Sequence, residues 1–130
     1  MVDKTLSFAL DTIEFIEILE NERKYVIARQ LLRSATAIGA SVFEAQQAES
    51  RSDFIHKMKI AAKEAHETLY SLLLCEQSKH YPTDKRLLLQ NEEIIKIISK
   101  IISSAKGRIP GFIWTIIFAF THLHIFKFSH

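Results

Sequence analysis

The sequence predicts an all-α protein, an antiparallel up-down-up-down four-helix bundle followed by a hydrophobic C-terminal extension. Three observations lead there. First, 48% of the 130 residues are apolar while only 3 are Gly and 2 Pro, a composition poor in the residues that strands and turns need. Second, apolar side chains recur at alternating spacings of about three and four residues over long stretches, which draws stripes along helices. Third, short polar or Pro-containing breaks separate those stretches. The length suits one domain with its own core. The expected division is residues 1–106 as the bundle and 107–130 as an apolar tail.

The first helix is expected over about residues 5–21, with Leu6, Leu10, Ile13 and Ile16 turned inward and Asp11, Glu14 and Glu17 in water. Asp11 and Glu14 also interrupt any secretory apolar run. Glu14, Glu17 and Glu20 recur at helical spacing, and a carboxylate row facing solvent explains them better than a metal site does.

The second helix follows almost at once, over about residues 23–48, so the pair should form a tight hairpin. Leu31, Ala35, Ile38, Val42 and Ala45 make one seam. Leu32, Thr36, Gly39, Phe43 and Gln46 make a second seam one residue over, widened by Ala37, Ala40 and Ser41. A helix apolar or small round most of its girth is expected to be central. Gly39 costs about 1 kcal/mol relative to Ala inside a helix, which points to a closely approaching neighbour.

Ser50 and Asp53 read as a capping box for a third helix over about residues 53–79. Its seam is Phe54, Met58, Ala61, Ala65, Thr68 and Leu72. Pro82 breaks the pattern, Thr83 or Asp84 can cap the next start, and a fourth helix carries Leu87, Asn91, Ile94, Ile98, Ile101 and Ala105 inward. Gly107 is expected to end it in the left-handed conformation. The apolar run of residues 112–120 then stops well short of the ~20 residues that cross a bilayer, so no membrane anchor is expected. It is expected to lie against the bundle or an interface, because that many exposed aromatics invite aggregation.

Charge is unevenly spread along a body that is neutral as a whole. Residues 1–22 hold Lys4 against six acids, and residues 23–63 hold eight bases against three acids. These segments can attract each other within a chain or between copies. The single Cys75 sits among leucines, which suggests a buried thiol in a reducing cytoplasm.

The sequence shows no phosphate loop, paired cysteines or nucleophile elbow, so neither an enzyme nor a cofactor is expected. No Glu has a His three residues on, which disfavours an inward di-iron site, and His122, His124 and His130 in the tail are poorly placed to fix a metal. Along the third helix, His56, Lys59, Lys63, His66 and Tyr70 share one side. That stripe suits a phosphate backbone with Tyr70 as a stacking surface, or an ordinary wet face with Lys63 and Glu67 paired. The bases expected to contact nucleic acid are Arg29, Arg51, Lys57, Lys59 and Lys63.

The strings QLLRSATAIGASVFEA at 30–45, SDFI at 52–55 and IAAKEAHET at 60–68 resemble the bacterial four helix bundle protein family. Its members are the 23S ribosomal RNA intervening-sequence proteins, with accessory variability proteins of diversity-generating retroelements among their relatives. The motif positions are Gln30, Arg33, Ile38, Gly39, Ser41, Glu44, Asp53, Phe54, Glu64 and Glu67, and Ser41 departs from the family's usual Asn. The resemblance covers about residues 5–106. It implies a left-handed bundle that assembles as a homopentamer, an association with structured RNA, and in some members a reverse transcriptase partner. No enzyme activity is implied. A ring that binds only protein stays open beside the RNA reading. Arg33, Glu44, Glu64 and Glu67 are expected to pair within the bundle or across a protomer boundary.

Overall fold

The computed structural model describes residues 1–107. Among them are the α-helices α1 (Val2–Asn21), α2 (Tyr25–Ala45), α3 (Arg51–Gln77) and α4 (Lys85–Lys106), each packed on its chain neighbours, with α4 returning to α1. This is the expected antiparallel four-helix bundle. The C-terminal extension, with its His122, His124 and His130, lies outside the described residues.

Local chemistry sets the helix ends. The α1–α2 hairpin turns at Arg23, whose φ of 61° is left-handed. Arg23 N–H donates to Glu20 O (2.9 Å) and Lys24 N–H to Leu19 O (2.8 Å), the paired bonds of a Schellman close with Arg where Gly is usual. Helix α2 therefore begins two residues later than the apolar pattern suggests. It also ends earlier, at Ala45, where buried Gln46 donates its Nε2–H back to Val42 O (3.1 Å) and a tighter turn runs to Ala48. The Ser50 cap forms as expected, its hydroxyl accepting from Asp53 N–H at 3.0 Å. Asp84, rather than Thr83, caps α4 by accepting from Leu87 N–H at 3.2 Å. Gly107 follows with φ −62° and ψ 168°, so α4 ends in extended backbone and not in the expected left-handed residue.

The buried seams of α3 and α4 are those the spacing predicts, apart from the half-buried Ile101. On α2 the first seam is buried at 0% exposure from Leu31 through Ala45. The second seam is covered only in part: Gln46 is buried and Leu32 and Gly39 half-buried, but Phe43 is 49% exposed and Thr36 is also open, so α2 packs on α1 and α3 and keeps one open side.

Helix α1 is rotated from the expected orientation. Its buried face is Val2, Thr5, Phe8, Thr12, Phe15, Ile16 and Leu19, whereas Leu10 is 56% and Ile13 41% exposed. Two aromatic rings outweigh the aliphatic stripe because they bury more surface. The intervening threonines go inside at little cost, since Thr12 Oγ1–H donates to Phe8 O at 2.8 Å and Thr5 Oγ1–H to Val2 O at 3.0 Å.

Gly39 sits against Thr5 of α1, yet a methyl group there would meet Thr5 atoms at 3.5–3.7 Å, ordinary contact distance. The close approach is real and does not require glycine. Gly39→Ala should therefore keep the fold and gain roughly 0.5–1 kcal/mol from helix propensity. Urea unfolding of the purified variant checks this, and a lower midpoint would show that the neighbouring helix cannot accommodate the methyl group.

Candidate nucleic-acid interface

The basic residues of α3 follow from its register. With Phe54, Met58, Ala61, Ala65 and Thr68 buried, the opposite side must carry His56, Lys59, Lys63, His66 and Tyr70, and all five are exposed. His66 is anchored to its own helix by a 2.8 Å contact between Nδ1 and Ala62 O. Lys63 does not pair with Glu67 in the way an ordinary wet face would suggest. Glu67 instead accepts from Arg33 Nη2–H, and Glu64 accepts from Arg33 Nη1–H at 3.2 Å. Those bonds hold the Arg33 guanidinium above its usual range, the Glu67 bond contributing most. The motif charges Arg33, Glu64 and Glu67 thus clip α2 to α3 within one chain. Glu44 lies 3.9 Å from Lys57 across the same pair of helices.

At the α3 N-terminus the antiparallel packing of α4 brings Lys106 to Arg51, Ser52, Ile55, His56 and Lys59, which together line a shallow pocket. Lys106 is not among the bases that the sequence pattern singles out, because it is remote in sequence from the others. Close approach to Lys59, above all, and repulsion from its charge hold Lys106 below the usual lysine range. Two ammonium groups this close, beside a guanidinium and an imidazole, form a concave cationic surface suited to an anion.

The expected cluster is therefore divided. Arg51 and Lys59 share the pocket, Lys63 continues along α3, and Lys57 is turned toward Glu44. Arg29 is near the other end. The Ser34–Thr68 contact (2.8 Å) fixes the α2–α3 register and places Arg29 roughly 30 Å along the bundle from Arg51. It lines a separate hollow with Val26, Gln30 and Arg33. Of the remaining motif positions, Ile38 and Phe54 are core at 0% exposure, Ser41 is buried, and Asp53 closes the cap, its Oδ2 accepting from Glu49 N–H at 3.2 Å.

No group of three His, Cys, Asp or Glu able to hold a metal occurs among the described residues. Cys75 is buried, and burial pushes its thiol up. No helix of the described residues is long and apolar enough to cross a membrane.

Comparison with known proteins joins this geometry to a lineage. The model of the 23S rRNA-intervening sequence protein family matches residues 1–103. The chain belongs to that family. A similar fold occurs in the crystal structure of a protein of unknown function from the S23 ribosomal protein family of Bacteroides thetaiotaomicron. The two are 41% identical with a TM-score of 0.73, over 78% of this chain and 96% of the other. A search of curated proteins finds no match.

The Lys59–Lys106 contact makes a pH-dependent prediction. A lysine whose pKa is lower in the folded state loses stability wherever it is charged, and that loss fades as pH rises through the lowered value toward the unfolded one. Lys106→Gln should therefore raise the melting temperature at pH 7, with the gain shrinking in alkaline buffer. Sulfate at fixed ionic strength should stabilise the wild type more than the variant. Thermal melts at two pH values and in two salts check both, and equal behaviour of the proteins would contradict the contact.

Proposed function

We propose that this protein is a non-catalytic, self-assembling helical scaffold of the cytoplasm that holds structured RNA on its cationic end and along the exposed side of α3. The observation that carries this reading is the pocket in which α4 delivers Lys106 to Arg51, His56 and Lys59, continuous with Lys63 and His66. Such a strip neutralises phosphates at helical spacing, and Tyr70 at its far end, 62% exposed, offers a ring on which an unpaired base can stack. The family's description, 23S rRNA-intervening sequence protein, names ribosomal RNA and supports the same class of ligand.

Self-assembly as a ring, a homopentamer by the resemblance described above, is supported by apolar side chains left in water. Val26 is 71% exposed, and Leu74 of α3 is also open. Those side chains also support the second reading, an adaptor ring that docks a protein such as a reverse transcriptase and has no nucleic-acid role.

Salt separates the two. Retention of a 23S ribosomal RNA transcript should fall steeply with salt concentration. The Lys59→Gln, Lys63→Gln double variant should lower the slope of log affinity against log salt by about 2, one for each phosphate that is no longer neutralised. Filter binding across a salt series, with light scattering to follow mass, checks this. No retention at physiological ionic strength would leave the adaptor reading.

A further inference from the structure

The stripe of α1 that aliphatic spacing marks as core is the wall of an open apolar groove. Leu6, Leu10 and Ile13 of α1 face Gly39, Ala40 and Phe43 of α2 across it. Leu10, Ile13 and Phe43 are 56%, 41% and 49% exposed, so large apolar side chains stand in water where nothing in residues 1–107 covers them. We propose that the occupant of this groove is the apolar segment 112–120 of the same chain.

Chain path and the order of polarity argue for that segment. The Lys4–Glu93 bridge (2.6 Å) sets the register of α4 on α1, so the last turns of α4 run past the α1 N-terminus and Gly107 lies roughly 20 Å beyond Val2, at the end of the bundle where the groove opens. The gap from there to the groove mouth is on the order of 20 Å, which extended chain crosses in about half a dozen residues. The apolar run, FIWTIIFAF, begins at the fifth residue after Gly107, so it arrives where the groove starts.

The groove stripe Leu6, Leu10, Ile13 continues up α1, at spacings of four and three, as Glu17 and Glu20, both exposed and with no basic partner among the described residues. The tail continues past its own apolar run as His122, His124 and Lys127. A segment laid from mouth to top thus sets apolar residues against the groove and brings its later cation, Lys127, toward the acidic end of α1. Gly39 and Ala40 keep the floor low enough for aromatic side chains to enter.

This inference is independent of RNA binding and is tested without it. Trp114 is the chain's single tryptophan and lies in the proposed occupant, so its fluorescence in the full-length protein reports the segment directly. In the folded wild type its emission should be blue-shifted and shielded from acrylamide, with shielding unchanged on dilution. Ala40→Glu or Leu10→Glu, each at an exposed position of the groove, should shift emission to longer wavelength and raise the quenching constant several-fold. Far-UV circular dichroism of either variant verifies that the bundle is intact, and Lys96→Glu on exposed α4 surface should leave the signal unchanged. Three results overturn the proposal: a Trp114 as accessible in the folded protein as in urea, shielding that survives both groove substitutions, or shielding that disappears on dilution together with a fall in mass.

Discussion

The structure depends on how closely α2 can lie on α3. Their shared seam is built from small side chains: Ala45 on one helix, three turns from Ser34, and Ala61 on the other, two turns from Thr68, are at 0% exposure. Ser34 and Thr68 meet hydroxyl to hydroxyl at 2.8 Å in the middle of it. Short side chains let the backbones approach, and the larger Leu31, Ile38, Phe54, Met58 and Leu72 then fill the remaining core from either side. Arg33, reaching over the rim to Glu64 and Glu67, ties the outer edge of the same seam but adds little by itself, being an exposed pair.

That seam also positions the surface features with a functional reading. With α2 fixed on α3 in antiparallel register, the exposed side of α3 must carry its histidines and lysines. The α3–α4 register is held where Asn91 Nδ2–H donates to Ala65 O at 3.0 Å in the core. This register sets Lys106 beside Lys59. A polar group kept inside to fix alignment is a familiar use of a buried amide. The cationic pocket is thus a consequence of register, and a shift of one turn between α3 and α4 would dissolve it.

How much of the fold is legible in the sequence differs by helix. The seams of α3 and α4 can be read from spacing because each has one apolar stripe and a polar remainder. Helix α1 cannot, because it has two stripes, and the aromatic one is interrupted by Thr5 and Thr12, which look polar and are satisfied by their own helix's carbonyls. The same ambiguity makes Thr36, Gly39 and Phe43 of α2 look like core when they form the other wall of an open groove. The capping boxes are legible, since Ser50 and Asp84 are side-chain signals. The α1–α2 close is not, since Arg23 occupies the left-handed position where glycine would have announced it. Among the bases, local spacing places Lys59 and Lys63 on one side, whereas Lys106 joins them only through tertiary packing, and Arg29 is distant for the same reason.

The central claim, that the bundle is closed by small side chains between α2 and α3, is tested most directly by enlarging one of them. Ala61→Leu inserts a branched side chain at a position with 0% exposure on a helix that otherwise tolerates leucine well. Denaturant unfolding should show a loss of about 1–3 kcal/mol, the usual penalty for overpacking a filled core. Unchanged or higher stability would mean that the two helices have room to spare and that something else holds the fold together.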